Sequence, residues 1–109
     1  MEKRRYERKP FRLKAELVIG NQKYPAFIEN LSEYGAYVEI APSKTPIEFY
    51  PATKVGLRFE IPSGETIDIS GEVRWSRVDI SPSQQCISYV GIEILKPPPG
   101  YSKFFKTLV

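Results

Sequence analysis

A chain of 109 residues with 41% hydrophobic and 13% aromatic content holds one modest core and one domain. No stretch approaches the roughly 18 apolar residues of a membrane span, and the absence of histidine removes every Ser–His and Cys–His nucleophile pair. The net charge of +3 hides an asymmetry: residues 1–14 carry seven basic and two acidic side chains, the other 95 carry nine basic and eleven acidic.

The chain opens on that basic segment. Arg4, Arg5 and Arg8 cluster beside Lys3, and Lys9-Pro10 disfavours a regular helix because the residue before proline avoids the helical region. Residues 1–10 are expected to form a flexible arm that attracts anions. Alternation with period two follows. Phe11, Leu13, Ala15, Leu17 and Ile19 share one face of a first strand. Lys23–Glu29 reads as a second strand with a less clean pattern. Asn30 to Gly35 is a turn, and Ala36–Ile40 a short third strand. Residues 41–53 hold three prolines and no steady period, so a long loop is expected. Val55–Ile61 alternates again. In Thr66–Trp75, Ile67, Ile69, Val73 and Trp75 share one parity, which predicts a core position for Trp75; stacking on a ligand at the barrel rim is the alternative. Cys86–Leu95 reads as a sixth strand, again with a less clean pattern. Turn residues separate these runs at Gly20-Asn21, Pro62-Ser63-Gly64 and Ser81-Pro82-Ser83.

Six short strands at near-regular spacing predict an all-β meander or barrel occupying residues 11–95. Pro97-Pro98-Pro99-Gly100 ends the sheet and stiffens the exit. Tyr101 to Val109 then predicts a short helix with Tyr101, Phe104, Phe105 and Leu108 on one face. Nine residues do not hold a helix alone, so that face must pack on the barrel.

Little in the chain suggests catalysis. Cys86 lies in an alternating strand, where an inert thiol is the ordinary expectation. The carboxylates are scattered and show no metal-ligand spacing. No enzyme activity, cofactor or metal is expected. One cysteine excludes an internal disulfide, and the N-terminus lacks the apolar region of a signal peptide, so a cytoplasmic location is expected.

Two motifs point to a ligand. Arg4 and Arg8, four apart with Arg5 between them, offer guanidinium forks for phosphates and guanine edges. Asn30-Leu31-Ser32-Glu33-Tyr34-Gly35 offers an amide, a hydroxyl and a glycine that permits positive φ or close backbone approach. Taken alone, each has an ordinary reading, as a solvated basic tail and as a polar turn. Their combination, RxxxR before the first strand and NxSxxG between the second and third, resembles the PilZ domain family of bacterial cyclic di-GMP receptors. Gly71–Trp75 and Tyr89-Val90-Gly91-Ile92-Glu93 resemble that family's last two strands.

The resemblance implies a six-stranded antiparallel split β-barrel with a short C-terminal helix over residues 1–109. It implies a cyclic di-GMP site built from Arg4, Arg5, Arg8, Asn30, Ser32 and Gly35, with Lys3 and Trp75 as further candidates. Arg74 and Arg77 are possible sources of extra positive charge. Lys3, just before RxxxR, is the position that in this family helps set whether one nucleotide or a stacked pair binds. Many members of the family have Asp where Asn30 stands, a stronger acceptor for guanine N–H groups. The implied role is to relay the second messenger to an effector protein in control of motility, adhesion and biofilm exopolysaccharide. Two rivals stand beside it: a PilZ-like interaction module that binds no nucleotide, and a small barrel for single-stranded nucleic acid. The second is disfavoured because the positive charge sits on an arm instead of lining a strand face.

Overall fold

The computed structural model describes the backbone of residues 9–108 and side chains from Arg12 onward. The basic segment carrying Lys3, Arg4, Arg5 and Arg8 lies outside the described residues, and so does its expected flexibility. Six antiparallel strands close into a barrel in the order β1-β2-β3-β6-β5-β4. They are β1 Lys9–Ile19, β2 Gln22–Ser32, β3 Gly35–Ile40, β4 Lys54–Glu60, β5 Thr66–Ile80 and β6 Cys86–Ile94, followed by helix α1 over Pro99–Leu108. The predicted number of strands, the closed barrel and the terminal helix are all present.

Two three-stranded meanders, β1-β2-β3 and β4-β5-β6, are joined edge to edge by the β3–β6 and β1–β4 pairs. The alternation read from the sequence is what fills the interior. Leu17, Ile28, Val38, Leu57, Ile69, Val73, Val90 and Ile92 are all buried in one core. The 41–53 connection crosses from β3 to β4 without strand structure, but it is more than a tether. Phe49 enters the core and meets Tyr24 edge-on at 5.7 Å between ring centroids.

Helix α1 starts two residues earlier than the periodicity suggests. The Ser102 amide donates to the Pro98 carbonyl at 3.0 Å, which puts Pro99 in the first helical position. Proline is well suited there because its missing N–H would have no intrahelical acceptor. The expected apolar face does pack on the barrel: Tyr101 is fully buried, Phe104 lies 5.9 Å from Phe59, and Leu108 is partly covered.

Register shifts occur at three places, on β1 between Pro10 and Leu13 and on β2 and β5, and the latter two reset strand parity and so determine what faces outward. On β2, Ile28 opposes Val38 and Asn30 opposes Tyr37, leaving Glu29 extra. Leu31 thereby turns into the core with no exposure, and β2 continues to Ser32 where the sequence suggested a loop from Asn30. Arg12 covers this bulge on the outside, donating to Glu29 at 2.7 Å and stacking on Phe27 at 4.2 Å. On β5, Val73 opposes Ile92 and Trp75 opposes Gly91, leaving Arg74 extra. This second bulge overturns the core placement of Trp75, which is 41% exposed on the outer face.

Candidate functional site

The turn between β2 and β3 is tight. Ser32 pairs with Gly35, so only Glu33 and Tyr34 lie outside the strands. The Ser32 hydroxyl donates to the Gly35 carbonyl at 3.4 Å. Gly35 is needed for closeness and not for a left-handed backbone, since it is absent from the positive-φ positions. A methyl group at Gly35 would come within 3.1 Å of the Ser32 Oγ and 3.4 Å of the Ile92 carbonyl. The turn is held from two further sides. Ile94 donates its amide to the Tyr34 carbonyl at 2.9 Å, and the Tyr101 hydroxyl donates to the Ser32 carbonyl at 2.5 Å. Burial pushes the Tyr101 phenol well above its ordinary value, with the charge of Glu33 adding to it.

Beside this turn lies an open cleft of about 280 Å³ on the outside of the barrel, with Ser32, Gly35, Tyr37, Trp75, Arg74 and Glu93 among its lining residues. Its floor is a cross-strand pair. The Trp75 indole lies over Gly91 so closely that a Cβ there would sit 2.1 Å from the indole nitrogen. Glycine at 91 thus makes room for a flat ring to lie on the sheet. Tyr37 meets Trp75 at 5.4 Å and Tyr89 at 5.9 Å. Arg77 stacks on Tyr89 at 4.5 Å and donates to the Tyr37 hydroxyl at 3.3 Å. Burial, then the charges of Glu39 and Asp79, raise the Tyr89 phenol above its ordinary value. Arg74, extruded by the bulge, pairs with Glu93 across the cleft.

Of the sequence-predicted site residues, Ser32, Gly35 and Trp75 line this cleft. Ser32 is only 6% exposed, and its hydroxyl is occupied by the turn. Asn30 stands half-buried, one register step away, between Pro10 of β1 and Tyr37 of β3. Lys3, Arg4, Arg5 and Arg8 fall outside the described residues, yet β1 fixes where the chain emerges from them. Lys9 pairs with Leu31 and Pro10 with Asn30. Lys9, the first described residue, is thus aligned with Leu31, the second position of NxSxxG.

Sequence reasoning did not anticipate the part played by Tyr101, whose only sequence signal was its place on an apolar helix face. Cys86 is half-buried at the start of β6, where Ser43 bridges to it from the 41–53 connection. Among the described residues no cluster of acidic or cysteine side chains could hold a metal ion, and no helix is long and apolar enough to cross a membrane.

Comparison with known proteins places this geometry among relatives. The PilZ domain family model matches residues 2–108. Among solved structures, the PilZ domain of YcgR from Escherichia coli, solved with c-di-GMP, aligns with a TM-score of 0.72 at 12% identity, covering 98% of this chain and 92% of that one. The inhibitor of motility MotI/DgrA from Bacillus subtilis aligns at 0.73 and 18%, covering 99% of this chain and 50% of that one. MrkH from K. pneumonia in its apo state aligns at 0.69 and 15%, covering 99% and 53%. The chain thus spans about half the length of MotI and of MrkH. No curated protein sequence matches it.

Proposed function

Because this chain belongs to the PilZ domain family, we propose that it is a receptor for cyclic di-GMP that binds the dinucleotide against the outer cleft beside the β2–β3 turn. The observation that carries this reading is the β1–β2 register, which aligns Lys9 with Leu31 and so brings the exit of RxxxR to NxSxxG. In this reading two motifs far apart in sequence serve one site.

The chemistry is recognition without reaction. Arg4, Arg5 and Arg8 neutralise phosphates and fork onto guanine acceptors. Asn30 receives guanine N–H groups, Gly35 lets the ligand approach the backbone, and Ser32 keeps the turn in shape. Trp75, flat on the sheet, offers a stacking face to a base. Fixing the basic segment on the ligand creates the surface that an effector protein reads. The YcgR domain was solved with this ligand, and PilZ domains are characteristically receptor or adaptor modules, which supports a non-enzymatic role. The reading carries with it a cytoplasmic location and a part in motility or biofilm control.

Calorimetric titration tests it. Cyclic di-GMP should bind more tightly than GTP or the linear dinucleotide. Arg4→Ala and Arg8→Ala should each weaken binding at least about tenfold, consistent with roughly 1.5–3 kcal/mol per charge-assisted bond. A wild-type chain silent at several hundred micromolar nucleotide would refute the assignment.

A further inference from the structure

Strand β5 is longer than its neighbour. Its Thr66–Glu72 half pairs with β4, and Val73 exchanges backbone bonds with Ala52 and Thr53. From Trp75 to Ile80 its other side is paired with β6, Trp75 with Gly91 through Ile80 with Cys86. On the side facing away from β6, no described residue pairs with the backbone of Ser76–Ile80. An open strand edge is a template for another strand, and proteins ordinarily protect it. Here it is flanked by apolar exposure. Ile80 is 71% and Tyr50 73% exposed, and a groove of about 330 Å³ runs between Glu48–Tyr50 and Ser76–Val78.

The charges on this edge say what fits it. Arg77 and Asp79 share one face, 3.5 Å apart at Nε and Oδ2. Like charges there would repel a second copy, but these are opposite and two residues apart. In an antiparallel pair centred on Val78, Arg77 lies opposite Asp79 of the second copy and Asp79 opposite its Arg77. On the other face Val78 meets Val78, and Ser76 meets Ile80. Centring on Arg77 or on Asp79 instead sets identical charges against each other, which is destabilising for directly opposed residues. A slip of register also exchanges the faces. The strand is complementary to itself in one register only.

We propose that two copies of this chain associate through the free edge of β5, antiparallel about Val78, joining their barrels by a continuous sheet across a two-fold axis. The inference is independent of nucleotide binding. The added strand lies along the groove beside Tyr50 and covers Ile80. Five paired residues a side bury less surface than a permanent dimer needs, so the association is weak and concentration-dependent.

Sedimentation equilibrium of the full chain tests this, from about 10 to about 500 micromolar, the range where weak pairing registers. The mass should rise from monomer toward dimer. Asp79→Arg and Arg77→Asp should each weaken self-association about tenfold, as two attractive pairs become repulsive. Mixing the two variants should produce a heterodimer, since every cross-strand pair is then of opposite sign, and R77D/D79R should dimerise like the wild type. If one single variant fails to fold by circular dichroism, the charge-swapped double variant decides. A monomer throughout the range overturns the proposal. So does a D79R chain that dimerises normally, a folded mixture that does not associate, or an edge that accepts another protein's strand but never its own copy.

Discussion

The hydroxyl of Tyr101, on the C-terminal helix, donates to the carbonyl of Ser32, the last residue before the β2–β3 turn, at 2.5 Å. Tyr101 is fully buried. The bond ties the helix to the turn of NxSxxG across 69 residues of sequence. A shift of the turn would be felt by the helix, and the reverse, because a buried carbonyl cannot exchange this donor for water without cost.

Tyr101→Phe keeps the ring and removes the donor. Stability should fall by about 1–3 kcal/mol, the cost of leaving a buried carbonyl unpaired. The pH dependence gives a second readout. The Tyr101 phenol is raised in the folded state above its ordinary value of 10.0. Its contribution is therefore complete below that ordinary value and lost as pH climbs toward the higher folded value, because the unfolded chain ionises first. Denaturant melts should show wild-type stability declining above about pH 10, with a smaller decline in the phenylalanine variant. Equal alkaline slopes would contradict the buried bond.

Trp75 is the chain's single tryptophan, so its emission reports on the cleft without a label. Cyclic di-GMP should quench or shift it in a saturable way. Trp75→Ala should weaken binding about 5- to 30-fold, matching roughly 1–2 kcal/mol for a stacked base. An emission spectrum unchanged at saturating nucleotide would place the base elsewhere.

The fate of Trp75 shows where sequence pattern stops. Period-two alternation located β1, β3, β4 and β5, because each buries one face, while β2 and β6 were read from less clean patterns; it identified the buried residues of β4 and of β5 as far as Val73. A bulge inserts one residue and inverts parity beyond it, and nothing in Arg74 itself announces one. The paired signal was Gly91 opposite a large aromatic, visible only once β5 and β6 are in register. The same limit hid the strand character of Asn30 and Ser32, since the extra Glu29 broke the alternation of β2. Tyr101 was legible as a core residue of the helix but not as a clamp, because its acceptor is a backbone carbonyl. The basic motif needed no fold to be noticed; the alignment of Lys9, the residue after it, with Leu31 of NxSxxG needed the β1–β2 ladder.

Asn30→Asp should strengthen nucleotide binding. A carboxylate accepts from guanine N1–H and N2–H with charge assistance, where the amide offers one neutral oxygen. Asn30 is half-buried and flanked in register by Pro10 and Tyr37, neither of which is an acid. An affinity gain of about 3- to 10-fold is expected, roughly the difference between a neutral and a charge-assisted bond. Weaker binding by the aspartate variant, with its melting temperature preserved, would mean that position 30 does not face guanine.

Stoichiometry gives the last test. Two stacked cyclic dinucleotides bring four phosphate charges into one place, and the N-terminal segment holds four cations to offset them, Lys3, Arg4, Arg5 and Arg8. An apolar residue at position 3 would leave part of that repulsion uncompensated. Calorimetry at known active concentration should give about two nucleotides per chain, with affinity falling as salt screens the cations. Lys3→Leu should bring the ratio toward one while the first nucleotide still binds through the arginines. A wild-type ratio of one, in low salt with excess ligand, would show that the fourth cation is not used to hold a second nucleotide.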